Sequence, residues 1–420
     1  MWLDGPMTMN WRRSRFGKVW SSIAKNGLRA GVQDGLAKWA RNRLHISQDV
    51  LRDYGWVLTP DHPAALPPPA SGPLNINWLI PTINKGSGGL FNIFRAIQFL
   101  ELWGHQQKIY VVRDPAFNAQ EARTIVNKFY FPTNAPIEPF RGSVADSDAL
   151  VATSWQTAYA ARALGNTARK FYFVQDLEHL FTPEGSVSEF AKQTYQWGFY
   201  GLTAGQWIAD VLHREYGMES SAFRFSFDRK IYSPNGPRRF PEKKNRVLFY
   251  ARATTLRRGF ELGILALSLV AKKMPDTEFV LVGFPPRSVE LPFPAVFPGT
   301  LPVSELGALY RSCSVALVLS HTNLSLLPLE LMACGCAVVS NSGPNVEWLL
   351  TDTFAQLARP TPGNLAKAIL ELLANEQLHL KKKTAGIAFA ESTDWETEIK
   401  AIERGMYKGL AIPAMDECNV

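Results

Sequence analysis

Short, almost uninterrupted apolar runs recur along this chain, and that pattern limits the fold more than any other feature. They are NINWLIP (75–81), KIYVV (108–112), ALVA (149–152), KFYFV (170–174), GLTA (201–204), VLFYA (247–251), EFVLVG (278–283), VALVLS (315–320) and CAVVS (336–340). Strands buried on both faces read in this way, whereas a half-exposed strand would alternate. Between the first two runs Leu90, Ile93, Phe94, Ile97 and Leu100 fall at helical spacing up to Trp103, with Gly104 just past the end. Strand, loop, helix, strand is the building unit of a parallel sheet. Further helices are predicted near 259–272, 304–311, 326–334 (closed by Gly335), 364–375, 376–392 and 394–403. A Pro-rich stretch (60–73) and a break rich in Pro, Gly, Arg and Lys (233–245) divide the chain. The pattern therefore predicts an α/β protein with two consecutive doubly wound domains, 73–235 and 236–391. An arm and semi-rigid linker (1–72) precede them, and a helix and tail (392–420) follow.

Composition narrows the class. Of 420 residues 46% are apolar and 20% charged, which excludes a disordered or collagen-like chain. The longest apolar stretch, 262–271, is too short to span a bilayer, and the first residues show no long apolar block of a secretory signal. Four cysteines, three in apolar surroundings, point to buried thiols in a reducing cytosol rather than a disulfide framework. The net charge of +8 is uneven: +5 of it lies in residues 1–70. Nine bases fall between Arg12 and Arg43, with Asp34 the sole acid and Trp11, Phe16, Trp20 and Trp39 interleaved. Two readings of this arm stand level: peripheral contact with an anionic membrane, or a solvated extension packed on the main body. No recognised module for nucleic acid follows it.

In an open parallel sheet, ligands bind beyond the carboxyl ends of the strands, so the loops there carry the candidate chemistry. Gly86, Ser87, Gly88 and Gly89 follow the first strand and open a helix, where free amides and the helix dipole favour a phosphate. They do not form G-x-G-x-x-G, and only Asp114 stands near the place of a ribose-binding acid, which argues against a nicotinamide cofactor. After VLFYA comes RATTLRRGFE (252–261), whose guanidinium groups match phosphate oxygens. Glu330 interrupts an apolar helix, so its carboxylate requires either an arginine of the same domain or a ligand's hydroxyls. Asp176, Glu178 and His179, just after KFYFV, suit acid/base work or an acceptor's hydroxyls; capping and surface pairing are the alternative. No ligand pattern for a metal and no G-x-S-x-G elbow occurs.

The run LSLLPLELMACGCAVVSNSGPNVEWL (324–349) resembles the signature of retaining GT-B glycosyltransferases of the glycogen-synthase-like superfamily, family four. LPVSELGALYRSCSVALVLS (301–320) is similar to the helix and strand that precede it there, and Arg252 with Arg258 to the family's diphosphate-holding Arg and Lys. IPTINKGSGG and FYFVQDLEHLFTPEGS resemble bacterial rhamnosyltransferases of surface-glycan assembly. The resemblance spans about 75–408. It implies two Rossmann-like domains facing a central cleft, and a last helix that crosses back to the first domain. It also implies metal-independent transfer from a nucleotide sugar, with dTDP-rhamnose the expected donor, to a saccharide or lipid-linked acceptor of the cell envelope at the cytoplasmic side of the inner membrane.

By position, the resemblance gives Arg252 and Arg258 the diphosphate, Glu330 the nucleotide ribose, the amides of Leu324, Ser325 and Leu326 the phosphates, and Gly86 to Gly89 the underside of the donor. The family's second acid, eight residues before Glu330, is Thr322 here, and its glycine-rich loop reads Asn323-Leu324-Ser325. His321 and Asn323 are the expected substitutes on the donor sugar. Thr322 also keeps open a non-catalytic saccharide- or nucleotide-binding protein, and the fold admits a nucleotide-sugar epimerase.

Overall fold

The computed structural model describes residues 49–114, 116–241, 243–283, 290–299 and 301–415. Most of the basic arm, residues 1–48, lies outside them. The chain divides into two compact units, Met1–Leu58 and Thr59–Val420. The described part of the first is a short helix, Val50–Tyr54, capped by the Asp49 side chain, and a 3-10 turn, Gly55–Leu58.

The second unit contains two wholly parallel sheets. The first joins β1 (Asn75–Ile80), β2 (Gln106–Val111), β3 (Ile137–Pro139), β4 (Ser147–Ala152), β5 (Thr167–Val174), β6 (Tyr200–Ala204) and β7 (Ser220–Phe223) in the order β3-β2-β1-β4-β5-β6-β7. The second joins β8 (Arg246–Tyr250), β9 (Glu278–Val282), β10 (Ala295–Val296), β11 (Val315–Val318), β12 (Ala337–Asn341) and β13 (Gln356–Ala358) in the order β10-β9-β8-β11-β12-β13. The order in which strands are added reverses at β1/β4 in the first sheet and at β8/β11 in the second, where an open α/β sheet forms its ligand crevice. The two-domain doubly wound architecture is thus present.

Local sequence explains these elements. Every residue of β6, β11 and β12 is buried, as a sheet covered on both faces requires. Trp78 of β1 and Phe173 of β5 meet edge to face with no solvent exposure, and the Trp78 indole donates to Gln107 Oε1 at 2.8 Å. In the helix Phe260–Lys273, Gly263 lies against the Phe249 ring; a Cβ there would fall 2.1 Å from Phe249 Cζ. Only glycine lets that helix approach β8 so closely.

The Pro-rich stretch is a fastened strap rather than the spacer its composition suggests. His62, Ala65 and Leu66 keep their amide protons between the prolines and donate them to the carbonyls of Arg162, Gly165 and Thr167 at 2.9–3.1 Å. The last helix, Trp395–Leu410, lies on the first sheet although its sequence follows the second. Leu74 N donates to His105 Nδ1, so His105 carries its proton on Nε2 and donates it to Glu403 of this helix at 2.9 Å. The Tyr407 hydroxyl donates to Gly72 O at 2.7 Å.

Candidate active site

The carboxyl ends of both sheets meet, and the loops they carry form one polar joint. Asp176 leaves β5 and is 8% exposed. Its Oδ1 accepts the amides of Leu177 and Asn323, each at 2.9 Å, and its Oδ2 accepts the Thr322 hydroxyl at 2.8 Å. Arg257 Nε stands 3.5 Å from Oδ2, and its guanidinium stacks on Phe181 at 3.9 Å. Burial raises the Asp176 pKa, while the Asn323 amide, Arg258, Thr322 and Arg257 pull it back. A carboxylate of the first sheet thus meets Thr322, the residue that stands here where the resemblance leads one to expect an acid.

Asn323 has no exposed surface. Its Nδ2 donates to the carbonyls of Gln175 and Ala204 at 2.9 and 2.8 Å, and its Oδ1 accepts the Trp348 indole proton at 2.8 Å. Gln175 continues the chain of bonds, donating to Gly89 O at 3.1 Å and accepting from Asn92 at 2.8 Å. The glycine loop after β1 and the loop after β11 are therefore tied through one glutamine. Asn341 and Asn345 fix the same β11 loop from its own side, through Ser320 and Thr322.

Several expectations need correcting. Asn323, expected on the donor sugar, has its amide fully committed within the joint. Asp176, expected in acid/base work, has its oxygens occupied by the loop it clamps. His179 is buried between Tyr195 and Tyr216, with Nδ1 lacking a partner, and burial lowers its pKa. Glu178 turns to the Trp155 amide at 2.8 Å, and burial pushes its pKa up to about 8. The Asp-Glu-His run thus spreads over three environments, because Asp176 sits in the loop leaving β5 while Glu178 and His179 open a tight 3-10 turn, Glu178–Phe181.

The phosphate-side candidates stand differently. Arg252 leaves β8 exposed. Arg258 is partly buried; its Nη1 donates to Ser320 Oγ at 2.8 Å and to Asn323 O at 3.1 Å, and burial lowers its pKa. His321 is at the surface after β11, its ring edge against Gly259, and this partial cover lowers its pKa. Leu324 is buried, while Ser325 and Leu326 are partly exposed; among the described residues, none of their amides donates to a backbone carbonyl. On the first sheet, Ser87 caps the helix Gly88–Leu102, and a Cβ at Gly86 or Gly88 would meet open space. Among the described residues no group of three or more His, Cys, Asp or Glu is placed to hold a metal.

Glu330 lies on the helix Leu327–Ala333. Burial pushes its pKa to about 7, against the Tyr232 hydroxyl and the charge of Arg95. That arginine comes from the opposite half, not from the same domain. Arg95 is 8% exposed and sandwiched by Phe131 and Trp395 at 4.3 and 4.5 Å, its pKa lowered to about 10 by burial. Sequence reasoning missed Arg95, although a cation interrupting the apolar run Phe94 to Ile97 is the signal that drew attention to Glu330.

Comparison with solved structures places this arrangement. Sucrose-phosphate synthase from Thermosynechococcus elongatus superposes with a TM-score of 0.62, covering 80% of this chain and 99% of that one at 15% identity. The Anabaena protein HepE, solved with UDP-glucose, gives 0.59 over 80% and 99% at 14% identity. WaaG, a glycosyltransferase of lipopolysaccharide biosynthesis, gives 0.57 over 78% and 98% at 13%. This is the GT-B fold. At such identities the likeness is one of fold. In sequence, residues 245–370 match the family described as WsaF, C-terminal domain. The O-antigen biosynthesis protein RfbC of Myxococcus xanthus is 35% identical over 272 residues, 64% of this chain. The chain spans about a fifth of that relative's length, 21%.

Proposed function

We propose that this chain is a glycosyltransferase of bacterial surface-polysaccharide assembly, moving a sugar from a nucleotide-activated donor to a saccharide or lipid-linked acceptor. The observation that carries the proposal is the placing of Arg252 and Arg258 after the carboxyl end of β8, with Arg258 bonded to the β11 loop that leads into the amides of Leu324 to Leu326, at the switch point of a GT-B fold. The 35% identity to an O-antigen biosynthesis protein and the UDP-glucose complex of HepE support the same direction. The donor is dTDP-rhamnose, whose deoxy sugar offers fewer hydroxyls to a site with Thr322 in place of an acid.

Each group then has a task. Arg252 and the amides of 324–326 hold the diphosphate, and Arg258 backs them while fixing the β11 loop. Glu330 accepts the ribose hydroxyls, His321 and Ser325 border the donor sugar, and Gly86 to Gly89 leave room beneath it. In the reaction the bond from the anomeric carbon to the β-phosphate oxygen breaks, its electron pair leaving with the phosphate. The acceptor oxygen forms the new glycosidic bond on the same face, and its proton passes to the departing phosphate oxygen. Cationic and amide donors fixed beforehand stabilise the charge building there without a metal. Asp176 acts as a positioning residue through Thr322 and Asn323.

Calorimetry with dTDP, UDP and GDP tests the site: the proposal expects saturable binding of dTDP that weakens strongly in Arg252→Ala. A non-catalytic nucleotide-sugar binder is favoured by Thr322 and by the burial of Asn323. It would show the same binding, with no product from any donor and acceptor pair.

A further inference from the structure

The second sheet has a cationic cavity at the end opposite the crevice. It measures about 430 Å³ and is lined by Arg238, Lys243, Lys244, Arg311, His379 and Lys383. Lys243 and Lys244 precede β8 and Ser314 precedes β11, whereas Arg252 and His321 leave the other ends of those strands. At about 3.3 Å per residue, the four residues of β11 alone set the two ends on the order of 13 Å apart. The cavity is thus separate from the site described above.

Its charge is only partly answered. Lys244 lies 3.2 Å from Glu376 and Lys243 lies 3.6 Å from Glu278. Arg311 donates Nε and Nη1 to the carbonyls of Pro237 and Ser233, each at 2.9 Å, which fixes the guanidinium but supplies no negative charge. Among the described residues neither Arg311 nor Lys383 forms an ion pair. The wall also carries Cys313 and Cys334, but burial pushes both thiols up to about 12, so neither serves as a thiolate counter-ion. His379 is lowered by burial and adds an imidazole rather than another charge. Cations fixed in a concave wall favour an anion with several oxygens, which accepts from guanidinium and ammonium together.

We propose that this cavity binds a phosphate-bearing anion, a second site distinct from the donor crevice. Its source is either a soluble phosphate or a lipid head group. The test titrates the full chain with inorganic pyrophosphate by calorimetry and sediments it with vesicles of phosphatidylglycerol in phosphatidylcholine. Wild type is compared with Lys383→Glu, Lys383→Arg and Arg252→Ala. Lys383→Glu is expected to weaken pyrophosphate binding about tenfold or more, the scale of losing one charge-assisted contact. Lys383→Arg keeps the binding, and Arg252→Ala leaves this binding event in place. Vesicle pelleting lost in Lys383→Glu identifies a lipid head group, and pelleting unchanged with pyrophosphate binding lost identifies a soluble phosphate. Pyrophosphate binding and pelleting both unchanged in Lys383→Glu would overturn the proposal.

Discussion

The Thr322 hydroxyl donates to Asp176 Oδ2 at 2.8 Å, and this bond joins the loop after β11 in one sheet to the loop after β5 in the other. The amide of the next residue, Asn323, donates to the same carboxylate at 2.9 Å. One buried acid thereby sets the distance between the two halves of the GT-B fold at the ligand-facing end.

Asp176→Asn should lower stability by roughly 3 kcal/mol, because Arg257 and Arg258 lose their buried counter-charge. Thr322→Val should cost about 1 kcal/mol, the worth of one hydrogen bond. The two act through the same contact, so the double variant should cost less than their sum. Urea denaturation of the four proteins measures the coupling, and strictly additive losses would show that the bond is energetically idle.

Gly205 follows β6 at φ +102, and a Cβ there would fall 2.8 Å from the Trp348 ring, which also holds Asn323. Gly205→Ala therefore meets both a strained backbone and an unyielding indole. The expected loss exceeds about 1 kcal/mol. Trp348 fluorescence should shift to the red as the joint loosens. An unaltered spectrum together with an unaltered Tm would dismiss the contact.

Glu178 carries a pKa of about 8 in the fold against an ordinary 4.5. The folded chain then keeps a proton that the unfolded chain has lost, so stability falls as pH rises from about 4.5 to 8 and levels off above. Allowing for its partial exposure, the loss is on the order of 3 kcal/mol. Thermal melts at pH 5 and pH 9 should show this slope in wild type and a flatter one in Glu178→Gln. Parallel curves would remove Glu178 as its source.

Glu330, at about 7, gives the corresponding signal for ligand binding. Ribose hydroxyls donating to its carboxylate favour the charged form, so nucleotide binding near pH 6.5 should release protons. Calorimetry in buffers of different ionisation enthalpy measures the release, which Glu330→Gln should abolish. Equal release in the variant would place the ribose elsewhere.

Much of this architecture was legible in the sequence, and the exceptions have physical causes. The central strands read as apolar runs because both faces are covered, and the helix Leu327–Ala333 with Gly335 at its end fell where its periodicity put it. β3, β7, β10 and β13 escaped notice: they are edge strands of two to four residues, such as SSAF and QLA, whose partly exposed faces carry no continuous apolar signal. The strap made by the Pro-rich stretch was hidden for a related reason, since its three bonds depend on carbonyls about a hundred residues away. Residue type singled out Arg252, Arg258 and Glu330 as candidates. It could not reveal that Asp176 and Asn323 face each other across the joint, because that pairing spans 147 positions. Arg95 was missed because an arginine in an amphipathic helix is commonly solvated, and only the packing of Phe131 and Trp395 shows otherwise.

Sugar transfer from a nucleotide donor held at Arg252 leaves a product that can be weighed. Its most direct measurement is the product of purified full-length chain incubated with dTDP-rhamnose and a surface-glycan acceptor, with UDP and GDP sugars alongside. The expected product is an acceptor heavier by one deoxyhexose, with the donor's anomeric configuration retained by NMR, and little product from Arg252→Ala. Absence of product from every donor, or equal turnover in Arg252→Ala, would contradict it.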